Sequence, residues 1–176
     1  MINLFKKRMN LNEIAVNLVG FAFDQNDVEK SMNELIFPIN IHRVDMLMEL
    51  MFLRAFAVDI AIYYALDDKK DELKLVSAKY RDLTIEMMSK SQIKTGFDSI
   101  TKMIERTKYY STAVSESISM INTQFSIDML ANKIGELFSE ICSSTDSTEV
   151  SNFGSDIFKS VIGGVMAFIK SIKIKI

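Results

Sequence analysis

Apolar residues recur three and four positions apart over most of the chain, a spacing that predicts amphipathic helices. Asn10 or Asn12 can cap the first of these helices. Polar residues 25–27 interrupt the pattern, and a second helix is expected from about 28 to 37. It ends there because Pro38 disfavours helical backbone at the residue that precedes it. The pattern therefore predicts two helices before Pro38.

The segment from about 41 to 66 is apolar around most of its circumference, which is typical of a helix at the centre of a fold. Glu49, Arg54 and Asp59 interrupt its hydrophobicity. Three charges would cost several kcal/mol in lipid, so this segment is not expected to span a membrane. We therefore expect a buried central helix, followed by a polar turn.

Beyond a fourth helix at about 73–87, the most regular period in the chain lies between 93 and 125. Small and apolar residues there alternate at steps of four and three, the heptad seam of helices that pack at a shallow angle in a bundle. The seam consists of Ile93, Phe97, Ile100, Ile104, Thr107, Ser111, Val114, Ile118, Ile121 and Phe125. A second series at 127–141 is out of register with the first, so a new helix should begin near Ser126, which can cap it.

The last part of the chain is expected to contain a loop and a C-terminal helix. Residues 143–155 are rich in Ser, Thr and Asp, a composition typical of a loop. The helix should follow from about 156 to 172, where Gly163 and Gly164 favour close helix packing. The tail at 170–176 alternates apolar residues with lysine, so a short strand is an alternative there.

Together these elements predict an all-α fold, a single-domain bundle over residues 1–176 with six or seven helices around the central helix at about 41–66. One proline, six glycines and no tryptophan leave few turn formers, which favours long helices. The twelve methionines are expected to fill an irregular core. A single cysteine, Cys142, excludes both a disulfide scaffold and a zinc ribbon.

Charge is distributed unevenly along the chain. Residues 1–10 contain three bases and no acid, and residues 155–176 contain four lysines and one aspartate. The segment between them, 11–154, has 14 bases and 22 acids and therefore a net charge of −8. An acidic body argues against nucleic acid as the partner, which would need a basic face. Basic, apolar ends favour contact with a membrane surface or with the groove of a partner protein.

The predicted C-terminal helix supplies the candidate contact residues. Its apolar and basic side chains that could meet a partner or a membrane are Phe158, Ile162, Phe168, Ile169, Lys170, Lys173 and Lys175. In the alternative interpretation, which such a stripe more often reflects, the helix closes the bundle and its apolar side chains belong to the core. In that case its lysines complement the negative end of the helix dipole.

One face of the predicted central helix carries polar side chains: Asp45, Glu49, Asp59 and Tyr63. His42, Asp45 and Glu49 are the candidate ligands of a mononuclear metal site. A di-iron site is excluded because the residue three positions before His42 is isoleucine. If the acidic face is buried, its carboxylates should instead pair with Arg81 or Arg106 from neighbouring helices. This second arrangement is structural, and we expect no metal and no cofactor.

The sequence contains none of the common catalytic motifs, and its first residues are not expected to act as a secretory signal. It has no nucleophile elbow and no glycine-rich phosphate loop, and Cys142 follows a helix end that would raise its thiol pKa. The first apolar segment, 14–23, contains Asn17 and lacks a small-residue cleavage site. We therefore expect a cytoplasmic protein that is not an enzyme.

The leading hypothesis is a non-enzymatic intracellular bundle that acts through protein–protein contacts, with self-association as a homodimer as one form of this activity. A first alternative is a protein that docks on a membrane surface through its basic, amphipathic C-terminal helix. A second alternative is a binder of small apolar ligands, with a pocket lined by Met46, Phe52, Phe56 and Met87. No particular partner and no small-molecule substrate can be named from the sequence.

Overall fold

The computed structural model describes residues 6–33, 43–90, 99–120, 126–142 and 147–175. In chain order its elements are β1 (Lys7–Asn10), α1 (Leu11–Phe23), α2 (Gln25–Asn33), α3 (Arg43–Leu66), α4 (Lys70–Lys90), α5 (Ser99–Met120), α6 (Ile127–Cys142), α7 (Thr148–Ser171) and β2 (Ile172–Lys175). The described residues thus form an all-α bundle with one small two-stranded sheet, which confirms the predicted fold class.

The first two helices begin at side-chain caps. Asn10 caps α1 through two reciprocal hydrogen bonds. Its side chain accepts a hydrogen bond from the backbone amide of Glu13, and the Glu13 side chain accepts one from the backbone amide of Asn10. Asp24 then separates α1 from α2, and its carboxylate accepts hydrogen bonds from the backbone amides of Asn26 and Asp27. The break between the helices therefore lies at Asp24 and not at the predicted 25–27, because the Asp24 carboxylate caps α2 directly after α1 ends.

The central position predicted for the segment at about 41–66 is confirmed by α3. Leu50, Leu53 and Ile62 have no exposed surface at all, and α1, α4, α5, α6 and α7 all pack against this helix. Tyr80 on α4 donates a hydrogen bond to the Ala55 carbonyl oxygen at 3.2 Å, which satisfies a hydroxyl inside the core.

The buried face of α5 is rotated by part of a turn relative to the predicted heptad seam, of which Val114 is buried as expected. Ile104 and Ser111, two seam residues, are exposed, whereas Met103 and Tyr110 are buried. The Tyr110 ring stacks on Phe56 of α3 with 5.3 Å between ring centroids. Burying this large aromatic ring favours the observed rotation over one that would bury Ile104. Four further seam residues lie outside the described residues: Ile93, Phe97, Ile121 and Phe125.

The last helix begins at Thr148, eight residues before the predicted start, so most of the predicted loop at 143–155 is helical. Ser147 caps it by accepting a hydrogen bond from the Val150 amide. Val150 and Gly154 are buried, and at Gly154 the helix backbone runs close to the Phe138 side chain of α6. Packing against α6 therefore outweighs the loop-like composition of these residues.

Candidate functional site

The two ends of the chain meet in one parallel, two-stranded ribbon. β1 runs directly into α1 through the Asn10 cap, and β2 continues directly from α7. The strands pair so that Arg8 lies opposite Lys173. Met9 and Ile172 are buried beneath the ribbon and attach it to the bundle. The ribbon therefore brings basic residues from both ends of the sequence, Arg8 and Lys173, next to each other.

The solvent side of this ribbon is strongly basic. Because alternate residues of a strand point to opposite sides, Arg8 and Lys173 share one face with Lys6 and Lys175. All four side chains are exposed, and we call this surface the basic face. Within the residues that the structure describes, the ion pairs all involve other side chains. Arg8 and Lys173 thus lie opposite each other as like charges, an arrangement that destabilises a strand pair.

A concave pocket of about 480 Å³ adjoins the basic face. We call it the basic pocket, and its lining residues are Lys6, Arg8, Lys69, Glu72, Ile172, Lys173 and Ile174. Lys69 comes from the turn between α3 and α4, and its Nζ lies 3.4 Å from Glu72 Oε2. Four cations thus surround the cavity, against a single carboxylate among these lining residues. This excess of positive charge makes the electrostatic potential of the pocket favourable for an anion.

The proposed metal ligands do not come together in the described part of the chain. His42 lies outside the described residues, and Asp45 is exposed. Glu49 is buried, and both of its carboxylate oxygens are engaged by cations from α5: Oε1 lies 2.9 Å from Lys102 Nζ, and Oε2 lies 2.7 Å from Arg106 Nε. Among the described residues no group of three metal-ligating side chains is present. The hydrogen bond to Glu49 raises the pKa of Arg106.

The alternative interpretation of the acidic face, pairing with arginines of neighbouring helices, agrees with the structure. Glu49 pairs with Arg106 as described, and Asp59 Oδ1 lies 3.2 Å from Arg81 Nε. Burial raises the pKa of Asp59, and the charge of Arg81 offsets part of this effect. These carboxylates therefore connect α3 to α4 and α5.

Cys142 is a core residue in the structure. Its side chain is buried at the end of α6. Burial raises the pKa of the Cys142 thiol well above its usual range, so the nucleophilic thiolate is scarce at neutral pH. The nearby Glu49 carboxylate adds to this effect.

The apolar stripe predicted for the C-terminal helix faces the protein interior. Phe158, Ile162 and Ile169 are at most 5% exposed, which contradicts their candidate role in contacting a partner or a membrane. Phe158 packs against Phe56 of α3, and the half-buried Phe168 lies near Phe21 of α1. Among the described helices none is long and apolar enough to cross a bilayer. The candidate lysines at positions 170, 173 and 175 are exposed and stay available.

The residues predicted to line an apolar ligand pocket are mostly core residues. Met46, Phe52 and Phe56 are at most 2% exposed. A groove of about 380 Å³ lies instead between α4 and α5, and we call it the α4–α5 groove. Its lining residues are Ala55, Asp59, Tyr80, Arg81, Thr84, Ile85, Met103, Ile104, Thr107 and Lys108. Two of them, Ile85 and Ile104, are 44% and 57% exposed, so the groove presents apolar surface to solvent.

No family model, curated protein or solved structure matches the chain. The functional hypotheses therefore rest on the geometry of the described residues. Sequence reasoning did not identify Lys6, Arg8 and Lys69 as parts of a site. The basic first ten residues and the alternating tail were visible signals, but the pairing of β1 with β2 joins opposite ends of the chain and has no local signature.

Proposed function

We propose that the protein is a non-enzymatic binding protein that acts through protein–protein contacts, with the basic face and basic pocket as its contact surface and an acidic protein as its partner. The observation that carries this proposal is the placement of Arg8 opposite Lys173. Among the described residues, no carboxylate lies within ion-pair distance of either side chain. An anion bound across the two strands would relieve their repulsion. Partner binding and stabilisation of the ribbon would therefore be coupled.

The shape of the site favours an acidic protein over a membrane. Stable attachment to a membrane surface combines electrostatic attraction with the burial of apolar side chains in the lipid. The apolar stripe of α7 is already buried against α3 and α6, so within the described residues this stripe adds no apolar anchor to the charge of the basic face. A concave pocket also suits a protruding side chain better than a flat layer of headgroups.

The acidic body of the chain supports self-association as one form of this activity. Residues 11–154 carry a net charge of −8, so the body of a second copy would attract the basic face. Such a contact would be heterologous, because the two copies would use different surfaces. Sedimentation at low and high salt tests it, since an oligomer held by these charges should dissociate as salt rises. A monomer at tens of micromolar in low salt would contradict self-association.

The Arg8→Glu/Lys173→Glu variant tests the contact surface. Binding of the full chain to a poly-L-glutamate peptide, measured by fluorescence anisotropy, should weaken by at least about tenfold, because two attractions become repulsions. The matched control is Lys7→Glu/Lys133→Glu, which changes the net charge equally. Lys7 lies on the other side of β1, and Lys133 pairs with Glu136 on α6. The control pair should retain most of the affinity.

Two results would contradict this proposal. Equal losses in the two double variants would show that the peptide responds to net charge and not to the basic face. Tighter binding to phosphatidylserine vesicles than to the peptide would instead favour the membrane-surface hypothesis. Circular dichroism of each variant establishes that the helices are intact, so that a loss of binding is not a loss of folding.

We also propose a second candidate function, the binding of a small apolar ligand in the α4–α5 groove. The observation that favours it is the exposure of Ile85 and Ile104 on adjacent helices that line one cavity of suitable size. The Asp59–Arg81 pair at the same groove would offer polar contacts to one end of an amphipathic molecule.

Methyl-resolved NMR with 1-octanol as the probe tests this second function. The methyl resonances of Ile85 and Ile104 should shift in a saturable way as the alcohol enters the groove. Val16 on α1 is the control, because it is 59% exposed and does not line the groove. Shifts of similar size at Val16 would show unspecific contact with exposed apolar groups and would contradict the proposal.

A further inference from the structure

We infer that the basic pocket binds a phosphate monoester, carried by a phosphorylated serine or threonine of the acidic partner protein. This inference rests on the proposed function and specifies the chemistry that the contact surface recognises. Two observations carry it, namely the charge collected around one cavity and the ordered backbone that brings the cationic residues to it.

The charge around the basic pocket exceeds what one carboxylate can neutralise. Arg8 comes from β1 and Lys6 directly precedes that strand, Lys173 comes from β2, and Lys69 comes from the turn before α4. Glu72 is the one acidic residue of the lining, which leaves a formal charge of +3. An aspartate or glutamate of a partner would bring one negative charge and two acceptor oxygens. A phosphate monoester brings a charge of about −1.5 to −2 and three acceptor oxygens, so it matches several donors at once.

The cationic side chains stand on backbone that the fold already orders. Met9 and Ile172 are buried on the inner side of the ribbon, next to Arg8 and Lys173 in sequence. Lys69 is held by Glu72 at 3.4 Å, which places its ammonium group at the pocket. The strands that carry Arg8 and Lys173 are ordered before binding, so binding has to immobilise these side chains but not the backbone beneath them.

Arg8 is the residue with the most specific role. Its planar guanidinium can donate two parallel hydrogen bonds to a phosphate, a geometry that a lysine ammonium cannot reproduce. Lys175 lies farther along the same face, outside the pocket lining. It is placed to meet an acidic residue that neighbours the phosphorylated one. The recognised segment is therefore an extended acidic stretch with one phosphorylated side chain.

Fluorescence anisotropy with three labelled peptides tests this inference on the full chain. The peptides share an Asp/Glu-rich sequence and differ at one position, which is phosphoserine, glutamate or serine. The phosphoserine peptide should bind about fivefold or more tightly than the glutamate peptide. Arg8→Ala should abolish this preference, Arg8→Lys should retain only part of it, and Lys7→Ala, on the other side of β1, should leave it unchanged.

The pH dependence supplies a second readout. The second pKa of a phosphate monoester is about 6, so its charge falls when the pH is lowered from about 7.5 to about 5.5. The advantage of the phosphoserine peptide should shrink over this range. The glutamate peptide stays ionised there, so its affinity should change little.

The possible outcomes separate this inference from the proposed function. Equal affinity for the phosphoserine and glutamate peptides would overturn the phosphate site and leave the acidic contact surface in place. Failure of all three peptides to bind would overturn both proposals. Tighter binding to phosphoinositide-containing vesicles than to the phosphoserine peptide would show that the recognised phosphate belongs to a lipid headgroup. That result would overturn the assignment to a phosphorylated protein.

Discussion

A chain that ends at Gly154 is expected to lose its cooperative unfolding transition. The truncation removes most of α7 together with β2, and with them a set of buried apolar side chains: Phe158, Val161, Ile162, Val165, Ile169 and Ile172. Each side chain of this kind contributes about 1.5–3 kcal/mol when it is buried. Their sum is comparable to the whole stability of an ordinary domain, about 5–15 kcal/mol. Thermal melting followed by circular dichroism should therefore show an unfolded or aggregated chain.

The matched control is a chain that ends at Ser171. It keeps α7 but lacks β2, so it loses the ribbon and the burial of Ile172 while the contacts of α7 with α3 and α6 remain. We expect a cooperative transition at a lower temperature than for the full chain. If the chain ending at Gly154 melted within a few degrees of the full chain, α7 would be an appendage to a complete core. Its apolar stripe would then again be available to a membrane or a partner.

The features that sequence alone predicted correctly depend on local chemistry. Asn10, one of the two expected caps of the first helix, and Ser126 each place a side-chain oxygen directly before an apolar helix, and both capping hydrogen bonds are present. The central position of α3 follows from apolarity around nearly its whole circumference, since such a helix must be buried on every side. In each case the deciding residues lie within a few positions of one another.

The features that sequence missed depend on contacts between distant residues. The rotation of α5 is set by the stacking of Tyr110 on Phe56 and by the pairing of Arg106 with Glu49, and neither contact leaves a periodic signal. The early start of α7 is set by its packing against α6, which overrides a composition typical of loops. Periodicity predicted the helices, but it could not fix the rotation of α5 or the first residue of α7.

The candidate site combines a predictable part with an unpredictable one. Its charge was visible, because the basic ends contrast with the acidic body. The sequence did not predict how the site is assembled. Which strands pair, and which turn places Lys69 at the pocket, depend on the whole fold. The residues predicted from the sequence accordingly include the lysines of the C-terminal tail but not Lys6, Arg8 and Lys69, which complete the pocket.

The crossing of α6 and α7 is where a single methyl group should have the largest effect on stability. A Cβ atom at Gly135 would collide with the carbonyl oxygen of Ser151 and would lie 3.0 Å from the Ser155 amide nitrogen. These are backbone atoms, which cannot move aside by a change of rotamer. The two helices would have to separate, and the neighbouring contact of Gly154 with Phe138 would loosen with them.

Gly135→Ala should therefore lower the free energy of unfolding, measured by chemical denaturation, by about 2–3 kcal/mol. The cost of overpacking is larger than the gain in helix propensity, which is at most about 1 kcal/mol. Gly163→Ala in α7 is the matched control, because among the described residues nothing lies within 4 Å of a Cβ atom at that position. It gains the same propensity without the collision, so it should be as stable as the parent chain or more stable. Equal stability of the two variants would contradict the close backbone contact between α6 and α7, and with it the packing that starts α7 at Thr148.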